Sequence, residues 1–222
     1  MTAAPRFRPC PRLIAVSDEA RLARPDALAR IGALAGAGCP AILLRPGSMG
    51  GREFYNLACK AVERSHAAAA ELWVGDRADV AVATGADAVQ LPARGLSLEG
   101  ARRVIGDGLR LGRSVHAPGE AARAASEGAD HLIVGAVFAT ASHPGAAPGG
   151  AALIADTRAA AEAAGWSIPI LAIGGMTPQT APRVLAAGAW GVAALSALWD
   201  AADPAAIVRS FLAALGDETL PA

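Results

Sequence analysis

Lysine is almost missing from this 222-residue chain. Among its 20 basic residues Lys60 is the one lysine, and the rest are arginine. Any mechanism that needs a lysine therefore has a single candidate. Net charge is missing too, since 20 acidic residues balance the 20 basic ones. That excludes nucleic acid as the main partner, because neutralising phosphates takes a basic excess. The three cysteines, Cys10, Cys39 and Cys59, form no Cys-x-x-Cys pair and have no histidine at metal-ligand spacing, so they read as reduced thiols. No apolar stretch reaches the ~20 residues that span a bilayer. Residues 1–12 are rich in proline and arginine and lack the apolar core of a secretion signal. The expectation is a cytoplasmic protein with no membrane partner; a homo-oligomer is compatible with the sequence.

What is present is alternation. Short apolar runs at Leu13–Ser17, Ala41–Arg45, Glu71–Val74, Ala88–Leu91, Leu109–His116, His131–Val134, Ile168–Ile173 and Trp190–Leu195 read as strands. Helical patterns lie between them, near 24–37, 52–69, 77–84, 97–105, 119–127, 150–164, 178–187 and 203–215. Ser97, Pro118, Thr177-Pro178 and Asp203-Pro204 are start signals. Glycines close several helices, and Gly-Ala recurs just before a strand at Gly85-Ala86, Gly128-Ala129 and Gly188-Ala189. Strict alternation demands a parallel sheet with right-handed crossovers, and eight units in about 200 residues suit a (β/α)8 TIM barrel, an α/β fold of one domain. The expected layout is a flexible tail over 1–11, the barrel over 12–216 and a C-terminal tail over 217–222. No Gly-x-Gly-x-x-Gly follows the first strand, so dinucleotide binding has no support. Residues 140–150, rich in glycine and proline, read as an active-site loop.

In such a barrel the chemistry comes from the C-terminal ends of the strands. The turn Ile173-Gly174-Gly175-Met176-Thr177-Pro178 suits an anion: two glycines permit close backbone approach, and a helix start follows. Gly174, Gly175 and Ser196 are the predicted phosphate cradle. His116 ends the fifth strand and can take and give a proton near neutrality. His143, in the loop, is the reserve base, while His66 and His131 read as structural. Asp76 ends the third strand as a lone carboxylate, second-shell or vestigial as a metal ligand, so no metal and no cofactor are expected.

These segments resemble the thiamine phosphate synthase/TenI superfamily over nearly the whole chain. The likeness rests on Val16-Ser17-Asp18, Leu43-Leu44-Arg45, Gly75-Asp76-Arg77, Gly112-Arg113-Ser114-Val115-His116, Gly135-Ala136-Val137-Phe138-Ala139-Thr140, Ile173-Gly174-Gly175-Met176 and Gly191–Ser196. The superfamily implies a TIM barrel in thiamine biosynthesis. Its synthases, which join a pyrimidine diphosphate to a thiazole phosphate, resemble one another in a Gln-Leu-Arg-Glu-Lys stretch where this chain has Leu43-Leu44-Arg45-Pro46-Gly47. They carry Asn-Asp where it has Gly75-Asp76, a metal-binding aspartate beyond the fourth strand where it has none, and a loop lysine where it has His143. The thiazole tautomerase (TenI) branch is more similar at Val89-Gln90-Leu91-Pro92 and at His116, and it implies an isomerase. In that reading His116 moves the proton that aromatises a dihydrothiazole carboxylate phosphate. Arg45, Ser114, Thr140, Gly174, Gly175 and Ser196 bind the thiazole phosphate. The alternatives are a synthase with an altered site and an idle phosphate-binding regulatory barrel.

Overall fold

The computed structural model describes residues 9–140 and 147–216. The strands are β1 (Leu13–Val16), β2 (Ala41–Leu44), β3 (Glu71–Gly75), β4 (Ala88–Leu91), β5 (Arg110–Val115), β6 (His131–Val134), β7 (Ile170–Ile173) and β8 (Gly191–Ala194). The helices are α1 (Glu19–Leu22), α2 (Ala27–Gly36), α3 (Gly51–Ala67), α4 (Ala78–Thr84), α5 (Leu98–Ile105), α6 (Pro118–Ser126), α7 (Gly150–Ala163), α8 (Ala181–Ala186), α9 (Ser196–Trp199) and α10 (Pro204–Leu215). Each strand pairs in parallel with the next and β8 closes on β1. The alternation in the sequence is thus a closed (β/α)8 TIM barrel.

Both faces of every strand are covered, which is why the strands read as continuous apolar runs. One face of each packs outward: Leu13, Ile42, Leu44, Leu72 and Val74 lie under the helices. The other face fills the barrel with Ile14, Val16, Leu43, Trp73, Ile133 and Leu171. The helices obey the same rule. In α5 the buried positions are Leu98, Ala101 and Ile105, one stripe at helical spacing. Ser97 starts this helix by accepting the Gly100 N–H at 3.0 Å, and Asp203 starts α10 by accepting that of Ala206 at 3.0 Å. Single-turn helices α1 and α9 are too short to show periodicity, and the sequence did not announce them.

The bottom of the barrel is closed by polar anchoring. The Trp190 indole donates to the Cys10 carbonyl at 2.7 Å, and Arg12 Nε donates to the Trp190 carbonyl at 2.9 Å. A side chain at Gly191 would collide with the Arg12 backbone, its Cβ 2.2 Å from the carbonyl oxygen. Burial pushes the Cys10 thiol up to about 12, so it is a packing group and not a nucleophile. Among the described residues no helix is long and apolar enough to cross a membrane.

Candidate active site

The C-terminal ends of the strands surround a cavity of about 760 Å3, within the size range of small-molecule sites. Arg45, Asp76, Ser114, His116, Thr140, Gly174, Gly175 and Ser196 all line it, as do Arg77 and Gln90. His143 lies outside the described residues.

Arg45 follows β2 and is held by Ser17, the residue just after β1. Its Nε donates to the Ser17 carbonyl at 2.8 Å, and its backbone N–H donates to Ser17 Oγ at 3.1 Å. Ser17 is itself fully buried and donates from Oγ to the Leu43 carbonyl. Burial lowers the Arg45 pKa from its ordinary value, though a guanidinium stays charged. Among the described residues Arg45 makes no salt bridge, whereas Arg77 closes a two-pronged pair on Asp79 at 2.8 and 2.6 Å. A Cβ on Gly75 would lie 3.3 Å from Arg45 Cγ. Glycine at this position leaves the arginine room to lie over β3.

Asp76 takes a left-handed backbone, φ 61°. It is fixed by its N–H to the Gln90 carbonyl at 3.0 Å and by the Arg77 N–H to the Gly75 carbonyl at 2.7 Å. This conformation turns the carboxylate over the β4 loop, where Asp76 Oδ1 would touch a Cβ on Gly95 at 3.2 Å. Among the described residues no cluster of three His, Cys, Asp or Glu could hold a metal.

His116 stands one residue beyond β5. Its Nδ1 is hydrogen-bonded to the Gly135 carbonyl. A carbonyl only accepts, so Nδ1 carries the proton and Nε2 is the nitrogen available to a ligand. The backbone N–H of His116 donates to Glu120 in the first turn of α6 at 2.7 Å.

The glycine turn differs from expectation in its physical reason. Gly174 and Gly175 have φ of 100° and 63°, a region where glycine is favoured. Yet what a Cβ at Gly175 would meet is protein: Phe138 Cβ and the Ala139 carbonyl, both at 2.8 Å. The glycines let β7 pack against the β6–α7 loop. The expected helix start at Pro178 is also displaced, since α8 begins at Ala181. Thr180 Oγ1 closes the intervening turn by donating to the Gly175 carbonyl at 3.1 Å. Ser196, the first residue of α9, faces the same cavity. Gly175→Ala is expected to lower stability by about 1–3 kcal/mol, through backbone strain and overpacking, and denaturant titration would show it.

Inside the barrel, just below the cavity, Gln90 bridges two residues. Its Oε1 lies 2.8 Å from His131 Nε2, and its Nε2 donates to Ser114 Oγ at 3.1 Å. His131 is fully buried, with its ring 4.4 Å from that of Trp73. Trp73 is fixed in turn by its Nε1–H to Glu71 at 2.7 Å. Reading His131 as structural missed this link to the site, because Gln90, Gly112, Ser114 and His131 come from three different strands. The available signal was Gly112, a glycine inside a strand pattern, which marks a close approach.

Burial and the Arg110 charge hold the His131 pKa well below its ordinary 6.5. Arg110 acts on it directly, and Glu71, Asp130 and Cys10 are titratable groups of the same end of the barrel. The unfolded imidazole binds a proton below about 6.5 that the folded one refuses. This part of the stability is therefore complete above that pH and is lost as pH falls below it. Denaturant titrations from pH 7.5 to 5 should show wild type losing up to about 1.4 kcal/mol per pH unit more than His131→Gln. Equal slopes would contradict the assignment.

The thiamine monophosphate synthase family model matches residues 13–198. The thiamine-phosphate synthase of Methanoculleus marisnigri is 42% identical over 82% of this chain and 84% of its own. That of Moorella thermoacetica is 41% identical over 80% of this chain and 82% of its own. Among solved structures, a thiamine phosphate pyrophosphorylase from Pyrococcus furiosus superposes with a TM-score of 0.80 at 29% identity, covering 92% of this chain and 95% of that one. These relatives overturn the tautomerase reading and, with it, the isomerase class and the His116 proton shift that aromatises a dihydrothiazole. The physical reason lies in which cations were counted. Missing lysines weighed against pyrophosphate chemistry, but the fold brings two guanidiniums, Arg45 and Arg77, to the cavity wall. The chain is an enzyme of the thiamine-biosynthetic kind.

Proposed function

We propose that this chain, which belongs to the thiamine monophosphate synthase family, is a transferase that couples a pyrimidine diphosphate to a thiazole phosphate, giving thiamine phosphate and pyrophosphate. The observation that supports the reading is that one cavity has two separate sides, each with groups suited to an anion. Arg45, Asp76 and Arg77 stand at the ends of β2 and β3, while Gly174, Gly175 and Ser196 stand at the ends of β7 and β8. In a ring of eight strands β3 and β7 lie opposite each other. That separation suits one substrate with a diphosphate and another with a monophosphate.

In the coupling, the bond from the pyrimidine's methylene carbon to the diphosphate oxygen breaks and a bond from the thiazole nitrogen to that carbon forms. No proton leaves carbon, so the residues act mainly by placing charge and holding two partners in line. The Arg45 guanidinium, already oriented by Ser17, receives the diphosphate and steadies its charge as it departs. His116 Nε2, an acceptor in the neutral ring, faces a donor group of the ligand and not the diphosphate oxygens. The thiazole phosphate rests on the turn at Gly174–Gly175 and the first turn of α9 at Ser196, with Thr140 beside it. Asp76 would supply one carboxylate to a Mg2+ brought in by the diphosphate. Such an ion, when bound, neutralises charge on the departing pyrophosphate.

Expression in a bacterium lacking its own coupling enzyme tests this in cells. Growth without thiamine is the expected result. Continued dependence on thiamine, with the protein present at normal level, would count against the proposal.

A further inference from the structure

We propose that His131 and Gln90 are positioning residues that fix the Ser114 hydroxyl as a hydrogen-bond donor into the cavity, so that the ligand atom it meets is an acceptor. Reading that ligand as a substrate rests on the function proposed above; the orientation of the hydroxyl does not.

The chain of contacts is short and closed to water at its root. His131 Nε2 lies 2.8 Å from Gln90 Oε1, and Gln90 Nε2 lies 3.1 Å from Ser114 Oγ. Gln90 and His131 are both buried, and Ser114 lines the cavity. Gly112 pairs in register with Gln90 on one side and with His131 on the other. A Cβ there would stand 2.1 Å from His131 Nε2 and 2.2 Å from Gln90 Oε1. The strand between the two partners thus lacks a side chain where their bond crosses it.

The direction of the chain follows from one orphaned atom. His131 Nδ1 is buried and has no hydrogen-bond partner among the described residues. A neutral imidazole has one ring proton. Placed on Nδ1, that proton would be a buried donor without an acceptor, which is costly. Placed on Nε2, it bonds to Gln90 Oε1, and only a lone pair is left bare. Gln90 must then turn its amide N–H toward Ser114, and a second contact from Gln90 Nε2 to the Leu91 carbonyl at 3.5 Å agrees with that orientation. Ser114 Oγ accepts from the amide. Its own proton is therefore left for the ligand. The opposite tautomer would flip the amide and make Ser114 an acceptor toward the cavity. A proton on a fully buried histidine in this way sets the polarity of a hydroxyl two hydrogen bonds away.

Two measurements test this. Nitrogen-15 NMR of imidazole-labelled protein reports the His131 tautomer without any substrate. The expected result is neutral imidazole protonated at Nε2; protonation at Nδ1, or an imidazolium at pH 7, would overturn the proposal. The second is a double-mutant cycle on the coupling reaction. In Gln90→Glu the ionised carboxylate can only accept, so the Ser114 O–H donates to it and the hydroxyl is reversed. Gln90→Glu should lower kcat/KM by roughly ten- to a hundred-fold, and Ser114→Ala should act similarly. Gln90→Glu added to Ser114→Ala should cost little more. Gln90→Glu should also regain activity as pH falls, because a protonated carboxyl can again donate to Ser114. That carboxyl would face His131 and Ser114, with Arg110 and Glu71 beneath and Asp76 and His116 above. Additive losses, or a Gln90→Glu profile parallel to wild type, would reduce Gln90 to a packing role. If Gln90→Glu does not fold, the tautomer in the unaltered protein still decides. If the tautomer is as expected but no coupling occurs, the functional reading fails and the hydrogen-bond direction stands.

Discussion

Gly112→Ala is expected to be a severely damaging single-methyl change inside the barrel. The added Cβ would sit 2.1 Å from His131 Nε2 and 2.2 Å from Gln90 Oε1, where no carbon can fit. His131 cannot simply retreat, because it is fully buried against Trp73. The bond between imidazole and amide must break, leaving two buried polar groups without partners. Overpacking and lost hydrogen bonding together should cost about 2–5 kcal/mol. Thermal melting would show it, and the same variant should lose coupling activity because Ser114 loses its fixed partner. A melting temperature close to wild type would mean that the interior is looser than the register implies.

Arg45→Ala should produce the largest loss of activity with a modest loss of stability. The side chain contributes one hydrogen bond to the fold, from Nε to the Ser17 carbonyl, so about 0.5–1.5 kcal/mol is at stake there. Its charge, by contrast, makes no salt bridge among the described residues, with Asp18 acting on it only at longer range. Removing a preorganised charged donor from a developing anion should lower kcat by about 100- to 1000-fold. Arg45→Lys should recover part of this, since an ammonium supplies charge but not the planar fork. Arg77→Ala should cost less, because Arg77 is already paired with Asp79. Steady-state kinetics on the three variants checks the order. An Arg77 effect larger than that of Arg45 would relocate the diphosphate.

The barrel was legible because it depends on patterns that are local and repeated. Apolar runs such as Ala41–Leu44, glycine caps such as Gly85, and N-caps such as Ser97 each act within a few residues. The strand ends follow from the fold, so the sequence alone puts Arg45, Asp76, Ser114, His116 and the Gly174–Gly175 turn around one mouth. What the sequence hid was pairwise and non-local. Ser17 orients Arg45 across 28 residues, and Gln90 reaches His131 across 41. The glycine turn was found for one reason and is needed for another, the contact with Phe138 and Ala139. The reaction was misread for a related cause. Linear motifs show which lysines are gone, but only the closed ring shows that arginines from β2 and β3 stand across from the phosphate turn.

Incubating the purified protein with a pyrimidine diphosphate, a thiazole phosphate and Mg2+ tests the central claim most directly, with phosphorus-31 NMR following both products. The account predicts thiamine phosphate and pyrophosphate appearing in equal amounts at a catalytic rate, and a rate reduced about 100-fold or more in Arg45→Ala. Wild-type protein that is folded and binds both substrates but releases no pyrophosphate would contradict it.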